Sequence, residues 1–198
     1  MCGIVGFTNN IDNSDKVINE MMDKIKHRGP DSAGKYIDEG IALGHRRLSI
    51  IDVGSQGDQP IFNEDGSLVI IFNGEIYNYR DIRKKLIDAG HEFSTNTDTE
   101  VLIHGYEQYG EKLLNLLRGM FSFVIWDKNK RELFGARDFF GIKPMYYANM
   151  NNTFMFGSEI KSFLVHPDFK KDLNLSVLES YLTFQYSPTS ETFFKNVY

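Results

Sequence analysis

A single cysteine in 198 residues excludes an internal disulfide and any cysteine-rich metal centre. The five histidines show no metal-ligand spacing and there is no His-Glu-x-x-His, so no metal site is expected. No apolar run approaches the roughly 18 residues that a membrane-spanning helix needs. The first seven residues lack the basic start and the length of a secretory signal, so the Asn-x-Ser/Thr patterns at Asn151 and Asn174 carry little meaning. A net charge of -5 with no Lys/Arg cluster leaves no footprint for nucleic acid or an anionic membrane. Repeats, low-complexity segments and linker-like stretches are also missing. The cytoplasm is the expected location. What remains, 41% hydrophobic and 25% charged, is enough to bury the core of one domain.

Periodicity predicts the elements. Met1 to Phe7 reads as a strand, and Ser14 as the N-cap of a helix reaching about Lys26. Ala33–Ile37 and Ile41–Leu48 form a hairpin pair around Asp38-Glu39-Gly40. Leu68 to Phe72 is a short buried strand. Asn78 is placed to cap a helix that Gly90 stops, and Thr97-Asp98-Thr99-Glu100 reads as a capping box for a helix through Tyr109. Phe121–Trp126 pairs with Glu132–Ala136, and Met145–Ala148 with Thr153–Phe156. A last helix runs from Ser176 to about Tyr186. Short hairpins between strands and helices in groups predict antiparallel sheets with segregated helices, an α+β class.

The lone cysteine directly follows Met1. It is either a small buried hydrophobe or, once Met1 is removed, a thiol sharing its residue with a free α-amine. Such an amine has a pKa of roughly 7.7–8.0, so about a tenth of it is an unprotonated base at pH 7. Gly3 beside it would let a substrate approach. Asn73-Gly74 is either a turn dipeptide or a pair of donors, the Asn73 amide and the Gly74 N–H, for a developing oxyanion. Of Arg46 and Arg47, adjacent on a strand, only one can enter a given cleft, where it would clamp a carboxylate. Asp98 either serves its helix start or pairs with an ammonium. His27 and His45 read as structural groups. The Gly135–Lys143 stretch departs from a phosphate loop, with five residues between its glycines and no Lys after the second.

Met1-Cys2-Gly3-Ile4-Val5-Gly6-Phe7 resembles the start of class II glutamine amidotransferases. His27–Asp31, His45–Ile50, Phe72–Asn78, Thr97–Glu100, Arg137–Pro144 and Gly157–Lys161 are similar to their asparagine-synthase branch, in order along the whole chain. The resemblance implies an N-terminal-nucleophile (Ntn) hydrolase fold, a four-layer αββα sandwich of two antiparallel sheets, as a single glutaminase domain over 1–198, excised from a longer chain. It implies Cys2 as nucleophile and base, and Asn73 and Gly74 as the oxyanion hole. Arg47 would bind the substrate carboxylate and Asp98 its ammonium, with backbone near Leu48, Ile50 and Glu75 completing the pocket. His27–Asp31 would shape its wall. The expected activity is hydrolysis of L-glutamine to glutamate and ammonia for asparagine synthesis. Other acceptors in the branch include sugar acids of surface polysaccharides, and an idle regulatory module on the same fold is the further alternative. No cofactor is expected here. ATP and Mg belong to a C-terminal synthetase domain, whose Ser-Gly-Gly-x-Asp-Ser loop this sequence lacks. L-glutamine and that synthetase domain are the implied partners and a homodimer is compatible, with no nucleic acid and no membrane.

Overall fold

Strand parity sets the layers of the computed structural model, which describes residues 1–9, 11–49 and 57–198. The order is β1 (Gly3–Thr8), α1 (Ser14–Lys24), β2 (Ser32–Asp38), β3 (Ile41–Arg47), β4 (Ile61–Phe62), β5 (Leu68–Ile76), α2 (Tyr79–Asp88), α3 (Asp98–Tyr109), β6 (Gly119–Asp127), β7 (Glu132–Arg137), β8 (Tyr146–Met150), β9 (Thr153–Gly157) and α4 (Ser176–Phe184). One sheet has the order β2-β3-β1-β9-β8 and the other β4-β5-β6-β7. Each described pairing is antiparallel.

Side chains alternate between the faces of a strand, so each sheet sorts its apolar residues by odd and even position. In β1, Val5 and Phe7 pack with Val17, Ile18, Met21 and Met22 of α1, while Ile4 turns the other way. In β5, Leu68, Ile70 and Phe72 meet Ile82 and Leu86 of α2 and Val101 and Leu102 of α3. Val69 and Ile71 face Ile4, Ile41, Leu43 and Phe156 across the gap between the sheets. The result is helix, sheet, sheet, helix, which is the expected αββα sandwich. Apolar contact on both faces of both sheets is the main stabilising term.

Several local expectations shift. Asn13, in the left-handed conformation at φ 65°, precedes α1 in place of Ser14, whose hydroxyl donates to the Ile11 carbonyl at 2.9 Å. Asn78 precedes α2 but does not cap it. Its side chain donates to the Leu116 carbonyl and accepts from the Arg118 N–H, both at 2.9 Å, tying the helix start to the approach of β6. The box at Thr97 is half formed. Thr97 Oγ1 accepts from Glu100 N at 3.4 Å, but the Glu100 carboxylate turns to Ser94 N, Thr95 N and the Thr95 hydroxyl. Burial opposes ionisation of Glu100, but His104 and these donors outweigh it and bring its pKa to about 2. Helix α4 ends at Phe184, two residues early, because Gln185 turns left-handed. Gly40, at φ 84°, makes the β2–β3 turn that the sequence predicts.

Candidate active site

The parity that builds the core also aims the reactive groups. In β3, Ile41, Leu43, His45 and Arg47 share the inter-sheet face, and in β5 Val69, Ile71 and Asn73 share it too. Cys2 lies two residues before Ile4 and so continues the same face of β1. Because β1 and β3 are antiparallel, with Gly3 opposite Arg46, the start of one strand meets the end of the other. There the sheets part around a cavity of about 390 Å³ lined by Cys2, Arg47, Leu48, Asn73, Gly74, Glu75 and Asp98. These are the site residues expected from the sequence, except Ile50, which lies outside the described residues.

Leu48 N–H donates to Cys2 Sγ at 3.4 Å, and the thiol sits 3.7 Å from the Leu48 carbonyl. Arg28 Nε donates to the Cys2 carbonyl at 3.0 Å while its Nη1 bonds Glu159, so the terminus is held in place from behind. Asp31 accepts from Ser49 N at 2.8 Å. The His27–Asp31 stretch thus braces the wall. Gly3 serves packing, contrary to the reading that it admits substrate: a Cβ there would stand 2.7 Å from Ile25 Cδ1 beneath the sheet. Met1 lines the mouth of the cavity, its Sδ 3.0 Å from Lys143 Nζ.

Asn73 is 1% exposed, and its amide nitrogen has no hydrogen-bond partner among the described residues. A buried unpaired donor costs about 1–3 kcal/mol, so its persistence at a cavity wall calls for a ligand acceptor. The preceding peptide is clamped on both sides. Gln59 Oε1 accepts from Phe72 N at 2.6 Å, and His45 Nε2 lies 3.1 Å from the Phe72 carbonyl. The turn reading of Asn73-Gly74 is excluded, because β5 runs on through both to Ile76, four residues beyond the predicted end. Gly74 lies so close to β6 that a Cβ would overlap the Met120 carbonyl and come within 2.7 Å of Phe121 Cα.

His45 is structural, as the sequence implies. Burial pushes its pKa down to about 4, with Arg47 adding to the effect against the Phe72 carbonyl and Asp58. The ring is therefore neutral and donates to Phe72. The unfolded chain protonates near pH 6.5 and the folded ring only near 4, so stability falls as pH drops through that window. The loss should total about 3 kcal/mol. Urea unfolding across the window should show that slope, and His45→Gln should flatten it.

Arg47, 8% exposed, enters the cleft and binds Asp58 at 2.8 Å. Arg46 faces α1 instead, where it meets the Met22 carbonyl and Asp23. Ser32 and then Arg47 hold the Asp58 carboxyl below its usual range, so an ionised partner pre-orients the guanidinium. Across the cavity Asp98 accepts from Ile76 N at 2.9 Å. Burial raises its pKa and the adjacent Glu75 carboxylate adds to the shift, against the backbone N–H groups that lower it. An incoming ammonium would reverse that shift.

Gln59, Asp58 and Lys143 escaped the sequence reading. Gln59 links Phe72 to Thr99 Oγ1, beside Asp98, so one side chain couples the two sides of the cavity. Lys143, 5% exposed, reaches the cavity from the loop after β7, whose backbone Asp138 gathers through Ile142 N and Lys143 N. No local pattern marks Gln59 or Asp58. The resemblance of Arg137–Pro144 was the available signal for Lys143.

Two stacked antiparallel sheets with the thiol of Cys2 at their opening are the architecture of an Ntn-type fold. The family model described as a glutamine amidotransferase domain matches residues 1–198, and the chain belongs to that family. It is 46% identical to asparagine synthetase [glutamine-hydrolyzing] 1 of Bacillus subtilis (strain 168), over 97% of this chain and 31% of that protein. It is 42% identical to asparagine synthetase [glutamine-hydrolyzing] 2 of Arabidopsis thaliana, over 82% and 28%. The chain thus spans about a third of the length of these curated relatives. Among solved structures, the glutamine phosphoribosylpyrophosphate amidotransferase of B. subtilis superposes with a TM-score of 0.73 at 23% identity, over 87% of this chain and 45% of that one. That likeness concerns the fold alone. No described helix is long and apolar enough to cross a membrane.

Proposed function

We propose that this domain hydrolyses L-glutamine through Cys2 and supplies the ammonia to asparagine synthesis in a longer protein. The observation that carries this reading is the meeting of Cys2, Asn73, Arg47 and Asp98 around one cavity, from four separate segments. Arg47 and Asp98 offer one cation and one anion, which suits the α-carboxylate and α-ammonium of an amino acid. The side-chain amide then extends toward Cys2.

With Met1 removed, the α-amine takes the thiol proton and sulfur attacks the side-chain carbonyl carbon. The carbonyl oxygen becomes an oxyanion held by Asn73 Nδ2 and Gly74 N–H. Collapse breaks the C–N bond. Ammonia leaves with the proton from the α-ammonium, and a γ-glutamyl thioester remains. Water, deprotonated by the same amine, attacks that thioester and releases glutamate and the thiol. Nucleophile and base come from one residue, so this half-reaction uses no metal or organic cofactor. ATP and Mg²⁺ would act in the synthetase portion. The relatives' greater length supports such a portion, and their being asparagine synthetases suits aspartate as the acceptor. The exposed Phe139, Phe140 and Ile142, on the loop that carries Lys143 into the cavity, suit contact with it.

Incubation with a glutamine-analogue electrophile, followed by intact mass, tests the reading. One label on Cys2 of the processed chain supports it, and a processed chain that neither labels nor releases glutamate refutes it. Arg47→Ala should raise KM about 10–100-fold with kcat changed little, since charged hydrogen bonds contribute about 1.5–3 kcal/mol. Asp58→Asn alongside it keeps an unpaired carboxylate from confusing the result. On acidification KM should rise again as Asp98 protonates, since the neutral carboxyl no longer pairs with an ammonium. That limb should begin above the ordinary Asp pKa of 3.8 and vanish in Asp98→Asn.

A further inference from the structure

Away from the cleft, four metal-ligating side chains converge from three segments. Glu64 lies in the turn between β4 and β5, His91 lies just past α2, and His104 and Glu107 stand one turn apart on α3. Their ligand atoms all lie within 4.8 Å of one another. His104 Nδ1 is 3.3 Å from Glu64 Oε2 and 3.7 Å from Glu107 Oε2. His91 Nδ1 is 3.6 Å from Glu64 Oε1 and 3.8 Å from Glu107 Oε2. In a tetrahedral zinc site with bonds of about 2.0–2.2 Å, neighbouring ligand atoms stand about 3.3–3.6 Å apart. The two edges to Glu107 Oε2 and the nearest approach of each ring to a Glu64 oxygen, Oε2 for His104 and Oε1 for His91, already come close to that figure.

The ordinary explanation is a set of direct His–carboxylate bonds, and the geometry argues against it. Charge-assisted bonds run at about 2.7–2.9 Å, shorter than any of these four edges. His104 is 1% exposed, yet neither ring nitrogen makes a hydrogen bond among the described residues. Both rings turn Nδ1 into the cluster. His91 Nε2 lies 3.1 Å from Gln108 Oε1, the arrangement of a metal-bound imidazole whose other N–H rests on an acceptor. His104 Nε2 stands 3.6 Å from Glu100 Oε1, beyond hydrogen-bond reach. The carboxylates are supported too: Glu107 Oε1 accepts from Asn63 Nδ2 at 3.4 Å and Glu64 Oε1 from Glu92 N at 3.2 Å.

We propose that Glu64, His91, His104 and Glu107 form a structural site for one divalent transition-metal ion, with zinc the best match. Two imidazoles disfavour Mg²⁺ and Ca²⁺, which prefer all-oxygen shells, and two carboxylates with two imidazoles suit four-coordinate zinc. Four protein ligands leave no open position, so the ion has no part in glutamine hydrolysis. Glu64 and Glu107 are exposed and give it a path from solvent. The ion joins the β4–β5 turn and the segment after α2 to α3, the helix that begins at Asp98. Sequence spacing predicted no metal site because only His104 and Glu107 are neighbours along the chain.

The test uses the Cys2→Ala chain, so that the terminal thiol cannot bind the probe, stripped with a chelator and titrated with ZnCl₂ or CoCl₂. One equivalent should bind per chain. Cobalt should show the intense visible bands of tetrahedral coordination, and Tm should rise with zinc concentration. His104 is buried and its loss endangers folding, so the deciding variants are His91→Ala and Glu107→Gln. Each should weaken binding at least tenfold with an unchanged circular dichroism spectrum. Absence of saturable zinc binding, or binding that neither variant alters, overturns the proposal.

Discussion

Cys2→Ala is expected to lower glutamine hydrolysis by at least about 10⁴-fold, the scale of losing a nucleophile that acts as a unit with its base. The structure makes this a clean experiment. The thiol contacts only the Leu48 backbone among the described hydrogen bonds, and the terminus is held by Arg28 through the Cys2 carbonyl, which alanine keeps. Unfolding midpoints should therefore match those of the parent chain. A chain that retains Met1 should be as inactive, for a different reason: the nitrogen is then a peptide amide and no longer a base. Met1 also lies in the mouth of the cavity. Glutamate release, read beside intact mass, separates the two cases. Substantial turnover by either form removes the terminal thiol–amine pair from the mechanism.

Asn73→Ala should reduce kcat by about 10²–10³, or roughly 3–4 kcal/mol of transition-state stabilisation, with KM within a few-fold of the parent. The amide nitrogen bonds to nothing among the described residues, so its removal breaks no native hydrogen bond. The Phe72 peptide stays clamped by His45 and Gln59. The loss should therefore fall on the chemical step and leave stability close to the parent's. Single-turnover thioester formation is the discriminating measurement. If KM rises while the acylation rate holds, Asn73 binds the ground state and the oxyanion assignment fails.

How far the site was legible depends on the range of the interaction involved. Strands and hairpins were readable because alternation and turn chemistry act over a few residues, as at Asp38-Glu39-Gly40. Helix caps were misread where a side chain had a distant partner. Asn78 has the right residue type, but its side chain is taken by Leu116 and Arg118, 38 and 40 residues away. β5 was read too short because Asn73, Gly74 and Glu75 are polar or flexible. Pairing with Ser122, Phe121 and Met120 of β6 holds them in the sheet all the same.

By itself, the sequence determined an α+β class of antiparallel sheets with segregated helices and the unusual place of Cys2, since these rest on residue type and short-range periodicity. The αββα layering and the roles of the site residues came from the resemblance. Strand parity left Arg46 and Arg47 open and the resemblance pointed to Arg47, which the tertiary structure places in the cleft. Only the tertiary structure decided that Asp58 and Gln59 position its walls, and that Glu64, His91, His104 and Glu107 meet. Parity says which residues share a face of one strand. Which strand ends and helix faces then come together depends on how the two sheets stack, and that is settled by contacts between residues far apart in the chain.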